Sequence, residues 1–209
     1  MVSDVSASQS GVRNLPLIIS VVITTIISGS LISVTGHYIS WLLVAGMMST
    51  LGAGLIYTLD INSSAGHWIG YQIIAGIGLG AGIQLPIIVG QALSEPGDIT
   101  TSTALMLFAQ TIGGALFVGA AGAAYANTLI RTLQITVLSV SSQSVIDIGA
   151  TEIRSSFPAD VVPGIIQAEM DGVHVDFALA IAGAGIGMLF AAGAKWVNLK
   201  GKTPTASAV

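Results

Sequence analysis

The groups in this chain that could act on another molecule from within an apolar setting are amides. Gln84 stands just before Pro86, Gln91 follows one heptad later on roughly the same helical face, and Gln110 sits alone in the next apolar run. An amide carries two N–H donors and one carbonyl acceptor. Such groups recognise polar atoms of a small molecule by hydrogen bonding and move no protons. Left unpartnered in hydrocarbon they are costly, so they either bond neighbouring helices or face a wet cavity. Pro86 removes one helical hydrogen bond and frees a carbonyl, which suits a bend beside a cavity. If the two runs are antiparallel, Gln84 and Gln110 fall at similar depth. Gln84, Pro86, Gln91 and Gln110 are therefore the candidates for a substrate path.

Other chemistry is thinly represented. Asp171, His174 and Asp176 gather where the last apolar run begins, as a proton antenna or as a solvated helix start. Thr24, Thr25 and Ser28 give the first run a hydroxyl cluster of the kind that bonds its own backbone. No HExxH, no GxSxG and no pair of aspartates within an apolar run occurs, so no catalytic residue is assigned and no enzyme is expected. Cysteine is absent, which removes thiolate metal sites and disulfides. Nothing implies a metal or a cofactor.

The stretch GYQIIAGIGLGAGIQLP (70–86) places Gly76, Gly78, Gly80 and Gly82 at alternate positions. A dinucleotide loop needs a preceding strand and an acidic residue about 20 positions on, and a Walker loop needs a lysine. Neither context is present, so no nucleotide is expected. As two GxxxG pairs, Gly76 with Gly80 and Gly78 with Gly82, the ladder reads as strips where neighbouring backbones approach. Gly113 and Gly114 are read as packing glycines in the same way.

These residues must be positioned by elements suited to lipid. Of 209 residues, 53% are hydrophobic and only 8% charged, against about 25% charged in a soluble domain. Six basic and ten acidic residues form no basic cluster, so nucleic acid is not an expected partner. A span needs about 20 apolar residues, and five windows supply them: four at about 15–35, 39–59, 68–93 and 101–127, and a fifth at 173–196. Each must be helical, because lipid offers backbone groups no other partner. The fold class is thus an all-α, five-span transmembrane bundle with the bilayer as its partner. Trp41, Trp68 and Trp196 sit at window ends, where indole rings anchor. Residues 128–172 form the one long connection, in which 144–157 suggests a short amphipathic helix lying on the membrane surface, broken afterwards by Pro158 and Pro163. Lys195, Lys200 and Lys202 vote for a cytoplasmic tail at 197–209. An odd number of spans then puts residues 1–14 and 128–172 outside, with Asn62 as a sequon on an outer turn.

Several stretches taken together resemble a known family. SASQSGVRNLPLI (6–18), WIGYQIIAGIGLGAGIQLPIIVGQA (68–92), DITTSTALMLFAQTIGGALFVG (98–119) and GATEIRSSFP (149–158) are similar, in order, to late segments of fungal major facilitator transporters of the fourteen-span drug:proton antiporter and toxin-efflux branch. GSLISVTGHY (29–38) resembles the worn second copy of that superfamily's cytoplasmic loop motif, keeping Gly29 and Gly36 but lacking the usual Asp and Arg. The resemblance implies that the five windows are the last five spans of such a carrier and that windows one, three and four line its central cavity, which places Gln84 and Gln110 there. It implies proton-driven export of a small organic molecule, from the plasma membrane rather than the vacuole. Because such carriers rock two halves about a midplane site, activity requires an N-terminal half that this chain does not contain. The alternative is a truncated, non-transporting protein that packs against an intact carrier.

Overall fold

A computed structural model of the chain describes residues 7–60, 63–137, 140–148 and 153–200. Parts of the segment 1–14, Asn62, residues 149–152 and most of the tail 197–209 lie outside the described residues. Among the described residues the structure is helical, without strands. A short α1 (Ala7–Arg13) leads into α2 (Leu15–Thr35), α3 (Tyr38–Tyr57), α4 (Ala65–Ile83) and α5 (Leu85–Leu93). Then come α6 (Ile99–Thr136), the short α7 (Ser142–Ile148) and α8 (Ile153–Ser156), and α9 (Val162–Ala192). With α4 and α5 counted as one bent span, five helical stretches are long and apolar enough to cross a membrane.

The glycine ladder makes α4 the central helix. Successive residues on a helix turn by 100°, so alternate glycines point in nearly opposite directions. A Cβ at Gly76 would lie 2.7 Å from the Ser20 Cβ of α2, and one at Gly80 would collide with the Val21 carbonyl. A Cβ at Gly78 would collide with the Ser49 backbone nitrogen of α3, and one at Gly82 would lie 3.4 Å from the Ala45 Cβ. One strip therefore admits α2 and the other admits α3. Hydroxyls lock the first contact: Ser20 donates to the Ile73 carbonyl at 2.9 Å, and Thr25 to the Gly80 carbonyl at 3.0 Å. Thr25 also bonds its own helix at Val21, 2.8 Å away, and Ser28 bonds Thr25, so the hydroxyl cluster serves both its own helix and its neighbour.

Gly113 and Gly114 behave differently from the packing role expected of them. A Cβ at either would meet nothing within 4 Å. In α6 the close contacts fall elsewhere, at Phe117 against Gly183 and at Tyr125 against Gly172, both on α9.

The connection 128–172 is much shorter than the charge-free windows suggested. α6 runs on to Thr136 because Leu129 and Leu133, one turn apart, bury against Ile165 and Ala168 of α9. α9 begins at Val162, with Pro163 in its first turn, where a missing N–H costs nothing. So Pro163 starts a helix instead of breaking one. The expected surface helix is two short pieces, and Val145 and Ile153 are buried in the same cluster. Their apolar side is turned onto the ends of α6 and α9.

At the opposite end, the α2–α3 turn meets the chain's last described residues. Gly36 ends α2 with φ of 70°, its carbonyl accepts from Leu199 N–H at 2.9 Å, and the Tyr38 hydroxyl donates to the Lys195 carbonyl at 2.5 Å. A Cβ at Gly36 would collide with Asn198 Oδ1. Of the two glycines kept from the loop motif, Gly36 thus has a strict conformational reason, while Gly29 has open space. Gly36→Ala is expected to destabilise the chain by about 1–2 kcal/mol, read as an earlier thermal transition in detergent. The same substitution at Gly29 is expected to leave the transition in place or raise it.

Candidate functional site

Antiparallel hydroxyl and amide bonds set the register between α5 and α6. Gln91 Nε2 donates to Thr103 Oγ1 at 3.0 Å, and Ser94 donates to Ser102 Oγ at 2.6 Å. Seven residues back from Gln91 is Gln84, and seven residues on from Thr103 is Gln110. The two amides therefore share one level of the hairpin, about 10 Å from the Gln91–Thr103 bond. Both are exposed, and neither makes a side-chain hydrogen bond among the described residues. Gln84 is the joint between α4 and α5, and Pro86 occupies the first turn of α5, where its ring leaves the Gly82 carbonyl without its usual helical donor. Gln91 differs from the other two, since it is spent on holding α6.

A second feature was not visible in the sequence. Two adjoining open clefts of about 370 and 590 Å³ form one hollow between α3, α4, α6 and α9, with Leu17 of α2 also lining the smaller. Ser49, Leu79, Ala180 and Ala184 line both. Measured along α9 from Phe177 to Ala191, the hollow extends over about 21 Å of helix. The larger cleft is walled mostly by Gly and Ala, including Gly113 and Gly114, and the smaller mainly by larger side chains such as Leu17, Ile56, Leu59 and Phe177. Gln72 lines the smaller cleft, with its Oε1 buried and unpartnered. The signal for Gln72 was its place one turn before Gly76 and two turns before Leu79, but an amide near a window's end reads as an interfacial residue. Gln84, Gln91 and Gln110 do not line the hollow.

A polar seam joins α9 to α6 and to the end of α3. The Tyr125 hydroxyl of α6 donates to the carboxylate of Glu169, which is only 6% exposed. Gln167 donates to Asp171 at 3.0 Å, and the Thr132 hydroxyl lies 3.5 Å from the same carboxylate. His174 tilts against the Tyr57 ring at 5.0 Å, and its Nε2 lies 3.4 Å from the Leu59 carbonyl. Asp171 and His174 thus tie α9 to α6 and α3, while Asp176 keeps a buried, unpartnered Oδ1. Glu169 was missed because 128–172 read as a loop, where a glutamate among other acids signals nothing, and Tyr125 because a tyrosine at the end of the window 101–127 reads as an interfacial ring.

A helix bundle with five stretches long and apolar enough to cross a bilayer, packed through small-residue interfaces, is an integral membrane protein. Its relatives agree: over nearly its whole length the chain matches part of the fungal major facilitator (MFS-type) transporters and efflux pumps. It is 37% identical over 201 residues to the MFS-type transporter astH of Aspergillus oryzae, covering 96% of this chain and 36% of that protein. It is 41% identical over 195 residues to the MFS-type transporter GME11371 of Pestalotiopsis microspora, covering 93% of this chain and 36% of that protein. It is 36% identical over 195 residues to the efflux pump roqT of Penicillium rubens, with the same coverages of 93% and 36%. The chain therefore spans little more than a third of the length of these relatives. No protein-family profile matches the chain, and no solved structure does.

Proposed function

We propose that the chain supplies one part of a proton-driven efflux carrier for small organic molecules of drug or toxin type, and that Gln84 and Gln110 face its substrate path. The observation that carries this reading is the match of 93–96% of the chain to proteins named as transporters and efflux pumps. The site assignment is supported by two amides that stand exposed at one level beside a proline bend, free to bond a passing polar group. Carriers of this kind alternate access by moving two halves about a midplane site, so the remainder of the transporter must complete it. Lys195 and Lys200 near the tail support a cytoplasmic C-terminus. Residues 1–14 and the α6–α9 connection are then outside, in the plasma membrane.

The test is a chimera in which this chain replaces the matched segment of the Penicillium rubens efflux pump. It is expected to export a fluorescent organic substrate from fungal cells. Gln84→Ala and Gln110→Ala should each shift inhibitory concentrations for some compounds by about 3–10-fold, the equivalent of one hydrogen bond. Neither substitution should change the thermal stability of the isolated chain, because both side chains are exposed and unbonded. Unchanged inhibitory concentrations across a broad compound panel would remove the site claim, and a folded chimera without export would remove the carrier claim.

A further inference from the structure

We propose that the non-helical segment Ala194–Leu199 is a releasable clasp. It seats Leu199 among the ends of α2, α3 and α5, and it exchanges between a seated and a free state while the bundle stays folded. Such a clasp acts within this chain and is independent of the carrier reading.

The seat is specific. Beyond α9 the chain leaves helical structure and crosses to the α2–α3 turn. Leu199 is 5% exposed and joins Ile32, Tyr38, Ile39, Leu85 and Ala92 in one buried cluster. Its N–H donates to the Gly36 carbonyl at 2.9 Å, and four residues earlier the Lys195 carbonyl accepts from the Tyr38 hydroxyl. Asn198 Oδ1 accepts from the Lys200 N–H at 2.8 Å, a local turn that lies directly against Gly36. Neither α2 nor α5 packs along α9, so this segment is their direct tie to its end.

The hold is weak by comparison. Between its two attachment points the segment borders an open cleft of about 240 Å³, lined by His37, Ser40, Trp196 and Asn198. Trp196 points away, 70% exposed. The gain from one buried leucine and two hydrogen bonds is largely offset by the entropy lost in fixing six residues outside any helix. The helices beneath are held differently, through backbone contacts at Gly76, Gly78 and Gly80. A segment with few buried contacts opens locally at lower cost than the elements it covers. On release the α2–α3 turn and the apolar cluster are uncovered, and α2 and α5 lose their tie to α9.

The test uses the full chain in detergent with single cysteines and a maleimide reagent, since the chain has no cysteine of its own. Leu199→Cys is expected to label about 10–100-fold more slowly than Trp196→Cys, yet to completion well below the thermal transition. Tyr38→Phe removes the hydroxyl and keeps the ring. It should speed labelling of Leu199→Cys by about 3–10-fold, the equivalent of one hydrogen bond, without moving the thermal transition. Leu199→Asp holds the clasp open. It should speed labelling of Ile39→Cys, buried at the seat, by about tenfold or more, and leave Ala45→Cys, buried further along α3, within about twofold. Labelling of Leu199→Cys as fast as that of Trp196→Cys overturns the seat. Labelling that proceeds only as the chain unfolds overturns the release, and a rate indifferent to Tyr38→Phe overturns the hold. Equal exposure of Ile39→Cys and Ala45→Cys by Leu199→Asp makes the segment part of the core and overturns the clasp.

Discussion

Gly78→Ala lowers the thermal transition of the chain by about 5–10 °C, whereas Gly113→Ala leaves it unchanged or raises it. The added atom is the same methyl group in both. At Gly78 it would collide with the Ser49 backbone nitrogen and lie 2.6 Å from the Met48 carbonyl carbon. Neither neighbour is a flexible side chain, so α3 and α4 must separate along their contact. Overpacking of this kind costs about 1–3 kcal/mol, and each kcal/mol moves the transition of a chain this size by about 2–4 °C. The opposite strip of α4 is pinned by Gly76 and Gly80 against α2, so α4 cannot shift away from α3 without losing that contact as well. At Gly113 the methyl enters open space, and replacing glycine recovers up to about 1 kcal/mol of helix propensity. The measurement is the monodisperse fraction after heating in detergent, followed by size exclusion. Equal transitions for the two variants would mean that the α3–α4 contact is looser than the structure has it.

Tyr125→Phe is expected to have an effect of similar size by a different cause. Glu169 is buried where α9 meets α6, and its partner is the Tyr125 hydroxyl. Removing the hydroxyl leaves a shielded carboxyl without its donor, which costs about 3 kcal/mol. The phenyl ring still fills the space beside Gly172, so packing loss does not confound the result. Glu169→Gln retains an acceptor for the hydroxyl and should cost less. The decisive variant is Tyr125→Phe with Glu169→Leu, which removes both polar partners. It should recover most of the loss, because buried pairs replaced together by apolar groups are close to neutral. If the double variant is as unstable as the two single losses added, the pair is not acting as a unit.

Much of the architecture can be read before any coordinates. The five windows correspond to the five membrane-length helical stretches because a charge-free run of that length has no other stable state in lipid. The alternate glycines already specify two strips on opposite sides of one helix, since the 100° turn per residue is independent of context. Window ends were less well defined. Residues 128–172, with their scattered charges, read as one long connection, but an ionisable group interrupts a helix only if it must reach water. Glu169 instead finds Tyr125 on a neighbouring helix, a partner 44 residues away that no local pattern announces.

The amides divide in the same way. That Gln84, Gln91 and Gln110 are unusual in an apolar run follows from their chemistry alone. That Gln91 is consumed by Thr103 while Gln84 and Gln110 stay free depends on the register of α5 against α6. The glycines of α6 and α9 show the same limit. Gly76, Gly78, Gly113, Gly114 and Gly187 are alike as letters, yet the first two are filled by neighbours and the others are open.

From the sequence by itself come the solvent, the number of spans and the close-packing faces, because each is set by composition or by helical period within one segment. Which faces meet, which stay vacant and where the hollow lies were decided only by tertiary structure, because those depend on helix pairs whose separation along the chain carries no periodic signal.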